Sequence, residues 1–235
     1  MKRLIVIPLY EMMGWNQIYM LLFVLCVVAM RYGALTFVLS RTVKRHSNRE
    51  KIDALFSIGI LALVFWQHRD EIFHTTYGHI GLNILYVLLA IVLFYAVNII
   101  VGEKLGGVKS KNQQQIEKLT KEMPFAISLC CTGILAPIFE EVFFRFYIQD
   151  LVFGNTVVGI LVASLLFAFM HLVTGFTAAG LLTYMGASIV IGVLYNLTGG
   201  LLFSSIMHVT VNSLAVVFMY YGSKLQKRDE EKGKA

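Results

Sequence analysis

The chain is poor in charge. Asp, Glu, Lys and Arg make up 14% of its 235 residues, against 57% hydrophobic residues, and the mean hydropathy is +0.72. A soluble domain carries about 25% charged residues, so this chain cannot cover its own surface in water. Cysteine is also scarce: Cys26, Cys130 and Cys131 are the full complement. The number is odd, two are adjacent, and all lie in apolar runs without metal-ligand spacing. That excludes a disulfide frame and predicts small core residues. A cleavable signal peptide is not expected either. Lys2 and Arg3 suit its basic start, but the apolar run stops at Pro8 and Glu11 with no small-residue cleavage site. No internal repeat is evident.

What is present is a succession of long apolar runs. They predict an all-α, polytopic transmembrane helix bundle of about seven spans, with room for an eighth. The runs fall near residues 18–39, 52–66, 80–101, a fourth from Pro124 into the sequence EEVFFR, then 157–173, 176–195 and 200–221. A span needs roughly 20 residues, so seven consume nearly all of the chain. The chain divides into N-terminal helices and loops (1–123), an apolar helical core (124–221) and a charged tail (222–235) that composition predicts to be disordered.

Fifteen of the twenty Lys and Arg residues fall in three clusters of five: 41–51, 102–122 and 223–235. With seven spans all three lie on one side of the membrane. The positive-inside rule then predicts a cytoplasmic C-terminus. The net charge of +6 is thus mainly a topology signal. Nucleic-acid binding is not expected, because the basic loops lack interleaved aromatics. Residues 112–122 read as a short polar connecting helix.

Against this apolar background, 124–221 holds four charged side chains: Glu140, Glu141, Arg145 and Asp150. It also holds two histidines, His171 and His208. Ionisable groups at membrane depth cost roughly 2.5–3.5 kcal/mol each on insertion scales, so they rarely persist without a task; the first span also carries an unusual internal Arg31. Glu141 and Arg145 are four apart, share a helix face and can pair, while Glu140 is rotated about 100° away. Phe167 with His171, and His208 with Asn212, show the same four-residue spacing. The bland readings are a structural Glu–Arg pair, histidines bonding between helices, and Asn212 as a packing polar group. Phe143 and Phe144 read as lipid- or core-facing bulk. Together, though, the three motifs supply a carboxylate, two imidazoles and a carboxamide. Peptide-bond hydrolysis needs such parts: a base for water, an acid for the leaving amine and donors for the oxyanion.

These residues resemble the CAAX-protease and bacteriocin-processing (Abi) family of intramembrane proteases. Its hallmarks EExxxR, FxxxH and HxxxN appear in order as Glu140-Glu141-xxx-Arg145, Phe167-xxx-His171 and His208-xxx-Asn212, within Pro124–Tyr221. One departure is Phe146, where the family often has glycine. The resemblance implies a metal-independent glutamate protease with no cofactor. Glu140 would activate water with help from His171, His208 and Asn212 would stabilise the oxyanion, and Glu141 and Arg145 would order the site. It further implies a membrane-associated peptide or protein substrate, such as a prenylated CaaX protein or a peptide precursor. The basic tail and short loops suggest a bacterial plasma membrane protein. Three alternatives stay open: a zinc hydrolase using Glu140, Glu141, His171 and His208, although the sequence lacks HExxH; a non-catalytic bacteriocin-immunity or membrane scaffold protein; and a proton-coupled transporter.

One expectation conflicts with the others. Counted along a straight fourth span, Glu140 sits about 24 Å deep from its inner end. His171 comes out about 9 Å from the inner edge of a roughly 30 Å core. Groups that act together must meet at one depth.

Overall fold

The computed structural model describes residues 15–73, 78–104, 111–173 and 175–232. Residues 1–14, on which the signal-peptide reading rests, lie outside the described residues. The described chain is all-helical. In chain order α1 covers residues 15–42, α2 His46–Gln67, α3 Ile80–Lys104, α4 Lys111–Glu122 and α5 residues 125–152. Then follow α6 Val157–His171, α7 Ala178–Thr198 and α8 Leu201–Lys232. A single helical turn, Arg69–Phe73, follows α2.

Among the described residues five helices are long and apolar enough to cross a membrane: Asn16–Thr42, Ile80–Val101, Phe125–Val152, Ala178–Thr198 and Leu201–Gly222. The reading of seven spans included two more, and both exist as helices. However, α6 has only 15 residues, about 22 Å of rise against a core of about 30 Å. In α2 the charges of Arg49, Glu50, Lys51 and Asp53 fall in its first two turns and dilute its hydropathy. The charged tail also departs from expectation, because α8 continues through Lys232. Lys, Arg, Gln and Glu are good helix formers, and a helix already nucleated by an apolar span extends at little cost. The cysteines are free, but Cys26 and Cys130 are exposed and only Cys131 is partly covered. Cys26 and Cys130 lie on the outer surface, where lipid accepts a small apolar thiol as readily as a core does, while Cys131 lines an interior cavity.

α5 is the centre of the bundle, between α1, α6 and α8. Ten of the twelve residues 141–152 are buried, and Phe139, Phe143 and Tyr147 stack along one side of the helix. Phe143 and Phe144 are therefore core. By contrast α3 exposes Leu82, Leu85, Leu88, Leu89 and Leu93, an apolar face suited to lipid. α5 is π-helical over Leu129–Leu135 and again over Glu141–Val152. Pro137 lies between these stretches and has no N–H to offer the Gly133 carbonyl one turn earlier. Ser213 of α8 donates to that carbonyl instead, at 3.1 Å. A Cβ at Gly133 would come within 3.2 Å of the Ser213 Cα, so glycine permits the close approach of α5 and α8.

The turn from α5 to α6 is tight, with Gly154 and Asn155 both at positive φ. The Thr156 hydroxyl then caps α6 by accepting from the Gly159 N–H. α7 begins likewise, with Thr177 accepting from Gly180. Ser40, Arg49, Lys118 and Glu122 line one cavity, and Phe125 meets Tyr220 and Tyr221 near the far end of α8. The ends of α1, α4 and α8 that carry the basic clusters thus share one end of the bundle.

Candidate active site

The site is built on α5, where Glu140 and Glu141 straddle a change of helical winding. Glu141 turns into the core and is 1% exposed. Its Oε1 lies 3.7 Å from Arg145 Nε, an ion pair too long for a hydrogen bond, and 2.9 Å from His208 Nδ1. Arg145 is wholly buried, and its Nη2 donates to Ser188 Oγ of α7 at 2.6 Å. One turn on, Gln149 donates to the Gly192 carbonyl of α7 and to Asn155 Oδ1. Polar groups of α5 are thereby tied to the facing helix, as burial requires.

Glu140 points the other way, as its 100° offset requires, and lines a polar cavity of about 520 Å³ together with Arg49, Asp53, His171 and Asn212. Its Oε1 lies 3.9 Å from His171 Nε2 and its Oε2 lies 3.6 Å from His208 Nε2. At the basic end of this cavity, burial and the neighbouring Asp53 push the Glu50 carboxyl above the usual carboxylate range, with Arg31 opposing.

The histidines are oriented by their other nitrogens. His171 Nδ1 lies 3.0 Å from the Phe167 carbonyl. A carbonyl only accepts, so Nδ1 carries the proton and the Nε2 lone pair faces Glu140. The ring is held between Phe167 and Tyr184, at centroid distances of 4.3 and 4.7 Å. His208 Nδ1 donates to Glu141 in the same manner, which turns Nε2 toward Glu140 and the interior. Asn212, one turn further along α8, lines both the polar cavity and a second, mostly apolar one of about 290 Å³. His171 and Asn212 stand where the two cavities meet.

The conflict in depth disappears once both positions are counted from the turn that α5 and α6 share. Glu140 lies twelve residues before the end of α5, and His171 closes α6 after fifteen. Folded back on each other as an antiparallel pair, the two segments bring His171 Nε2 to 3.9 Å from Glu140 Oε1, at one level. The straight-span estimate placed the end of α5 too early.

The six polar residues picked out by the motifs are therefore one constellation. Two features were not visible in the sequence. Tyr32 of α1 donates from its hydroxyl to Glu140 Oε1 at 3.2 Å, and Ser188 receives Arg145. Arg31 carried the same signal as Glu140, an ionisable group within a span, but its partner was legible only in three dimensions. It pairs with Asp53 of α2, at 2.8 Å from Nη2 to Oδ2. Phe146 is also accounted for: it packs edge-on against His68 at 5.3 Å, filling a space that glycine would leave open. Among the described residues no group of three His, Cys, Asp or Glu side chains has the geometry to hold a metal ion.

The site is a cluster of buried carboxylates and imidazoles inside an apolar helical bundle. Residues 122–214 match the family model described as type II CAAX prenyl endopeptidase Rce1-like. The match supports the resemblance to the CAAX-protease and bacteriocin-processing family drawn from the three motifs, and over that segment the chain is similar to an intramembrane CAAX-type protease. No curated protein and no solved structure matches the chain. The matched segment contains all seven motif residues and excludes α1, α2 and α3.

Proposed function

We propose that this protein is an intramembrane endopeptidase of the glutamate type, acting on a membrane-associated peptide or protein precursor. The observation that carries the reading is the Glu140 carboxylate facing a polar cavity with His171 and Asn212 beside it and His208 Nε2 at 3.6 Å. Glu140 takes a proton from a water molecule, with the His171 Nε2 lone pair as the second proton acceptor. The hydroxide adds to the scissile carbonyl carbon, and the oxyanion accepts hydrogen bonds from the Asn212 amide and from a protonated His208 at Nε2. The proton held by Glu140 passes to the leaving nitrogen as the C–N bond breaks. Glu141 and Arg145 hold His208 and α5 in register. The shared basic end, and with it the C-terminus, faces the cytoplasm.

The decisive experiment compares wild type with Glu140→Ala, at matched expression, by mass spectrometry of membrane-associated and secreted peptides. Discrete peptides should vanish and longer precursors accumulate. Turnover of any precursor found should fall by roughly two to four orders of magnitude, as for loss of a positioned base. Unchanged processing by the variant overturns the proposal.

A further inference from the structure

The N-terminal helices lie outside the family match, yet they reach the centre of the site. Asp53 on α2 accepts from Arg31 Nε at 3.2 Å and from Nη2 at 2.8 Å. Arg31 Nη1 donates to the Tyr32 hydroxyl at 2.9 Å, and Tyr32 donates to Glu140 Oε1 at 3.2 Å. The guanidinium lies 4.2 Å from the centre of the Phe139 ring, and the Tyr32 ring meets Phe139 edge-on at 6.5 Å. Arg31 is 4% exposed, and with Tyr32, Asp53 and Glu140 it lines one wall of the polar cavity.

The direction of this chain is fixed by donor chemistry. A guanidinium has only donors. Because Arg31 donates into the Tyr32 oxygen, the hydroxyl proton must point elsewhere, and Glu140 Oε1 is the acceptor in reach. Arg31 is held in turn by two contacts to one carboxylate, the fork geometry in which arginine loses least freedom. α1 is π-helical over Met30–Leu35, and such bulges recur where a helix is rewound at functional sites.

We infer that Tyr32, oriented by Arg31 and Asp53, is a positioning residue for Glu140. It occupies Oε1 and fixes the carboxylate rotamer so that Oε2 is presented toward His208 and the reacting water. This rests on the reading of Glu140 as the base, and the test separates the two. The full-length protein, with ¹³C-labelled glutamate, is placed in lipid nanodiscs. The infrared band of the Glu140 carboxyl group is identified by its loss in Glu140→Gln. Tyr32→Phe keeps the ring on Phe139 and removes only the donor, and it should shift that band. Arg31→Lys should shift it in the same direction by less. A band that stays in place in Tyr32→Phe overturns the inference, whatever the protein cleaves.

The second measurement uses a fluorogenic farnesylated peptide ending in a CaaX sequence. For Tyr32→Phe, kcat should fall about tenfold, the order expected for one hydrogen bond to a charged group, with KM and the thermal midpoint unchanged. The Arg31→Lys and Tyr32→Phe double variant should be no slower than the worse single variant, because both act through one bond. A rise in KM at constant kcat, or additive losses, overturns the inference. Cleavage by Glu140→Gln at the wild-type rate instead overturns the proposed function, and the infrared band still decides whether Tyr32 holds Glu140.

Discussion

Two adjacent glutamates take opposite roles because their neighbours differ. Glu141 is enclosed by Arg145 and His208, and Glu140 opens to a cavity. The enclosure depends on space that glycine leaves at position 192. A Cβ there would come within 2.8 Å of Gln149 Oε1 and 3.2 Å of Arg145 Nη1. Gly192→Ala should therefore displace the Arg145 side chain and destabilise the protein by about 1–3 kcal/mol, as overpacking does. A lowered thermal midpoint in detergent, together with reduced turnover, is the expected result, and an unchanged midpoint contradicts the packing account. The Glu140, Arg145, His171 and His208 positions were legible in sequence, since a charge or imidazole in an apolar run stands out in any reading. Tyr32 was not, since one tyrosine among eleven carries no signal until α1 is folded against α5.

At the scale of elements, α5 is the most informative. Its spacing identified Glu141 and Arg145 as a pair, and 3.7 Å separates them. Its interrupted winding was not legible beyond Pro137, because a π-helical stretch depends on what the freed carbonyls find across the interface. Ser213 is one such partner. Ser213→Ala leaves the Gly133 carbonyl without its donor and should cost about 1–3 kcal/mol. The loss should appear as a lower unfolding midpoint, and Ser213→Thr should recover part of it. Equal stability of the alanine variant would show that the bond is not needed to hold α5 and α8 together.

At the scale of the molecule, three basic clusters far apart in sequence meet at one end of the bundle, and Arg49 and Lys118 from two of them line the polar cavity. The proposed orientation predicts that, in a cysteine-free background, Arg45→Cys resists a membrane-impermeant maleimide in intact cells and reacts once they are permeabilised. His79→Cys, before α3, should react in intact cells. The opposite pattern reverses the topology without altering the site.

The sequence by itself determined the solvent, the helical class and the six polar positions, because hydropathy and a spacing of four residues are properties of neighbours along the chain. It did not determine how many helices are long and apolar enough to cross, since α6 is short and α2 carries four charges near its start. Only the tertiary structure decided that Glu140 and His171 lie level, since depth depends on where α5 ends and how it turns into α6. It alone decided that α1 supplies a donor to Glu140. Contacts between residues 32 and 140 arise from helix packing, and packing is set by the shapes of whole faces, which no local pattern encodes.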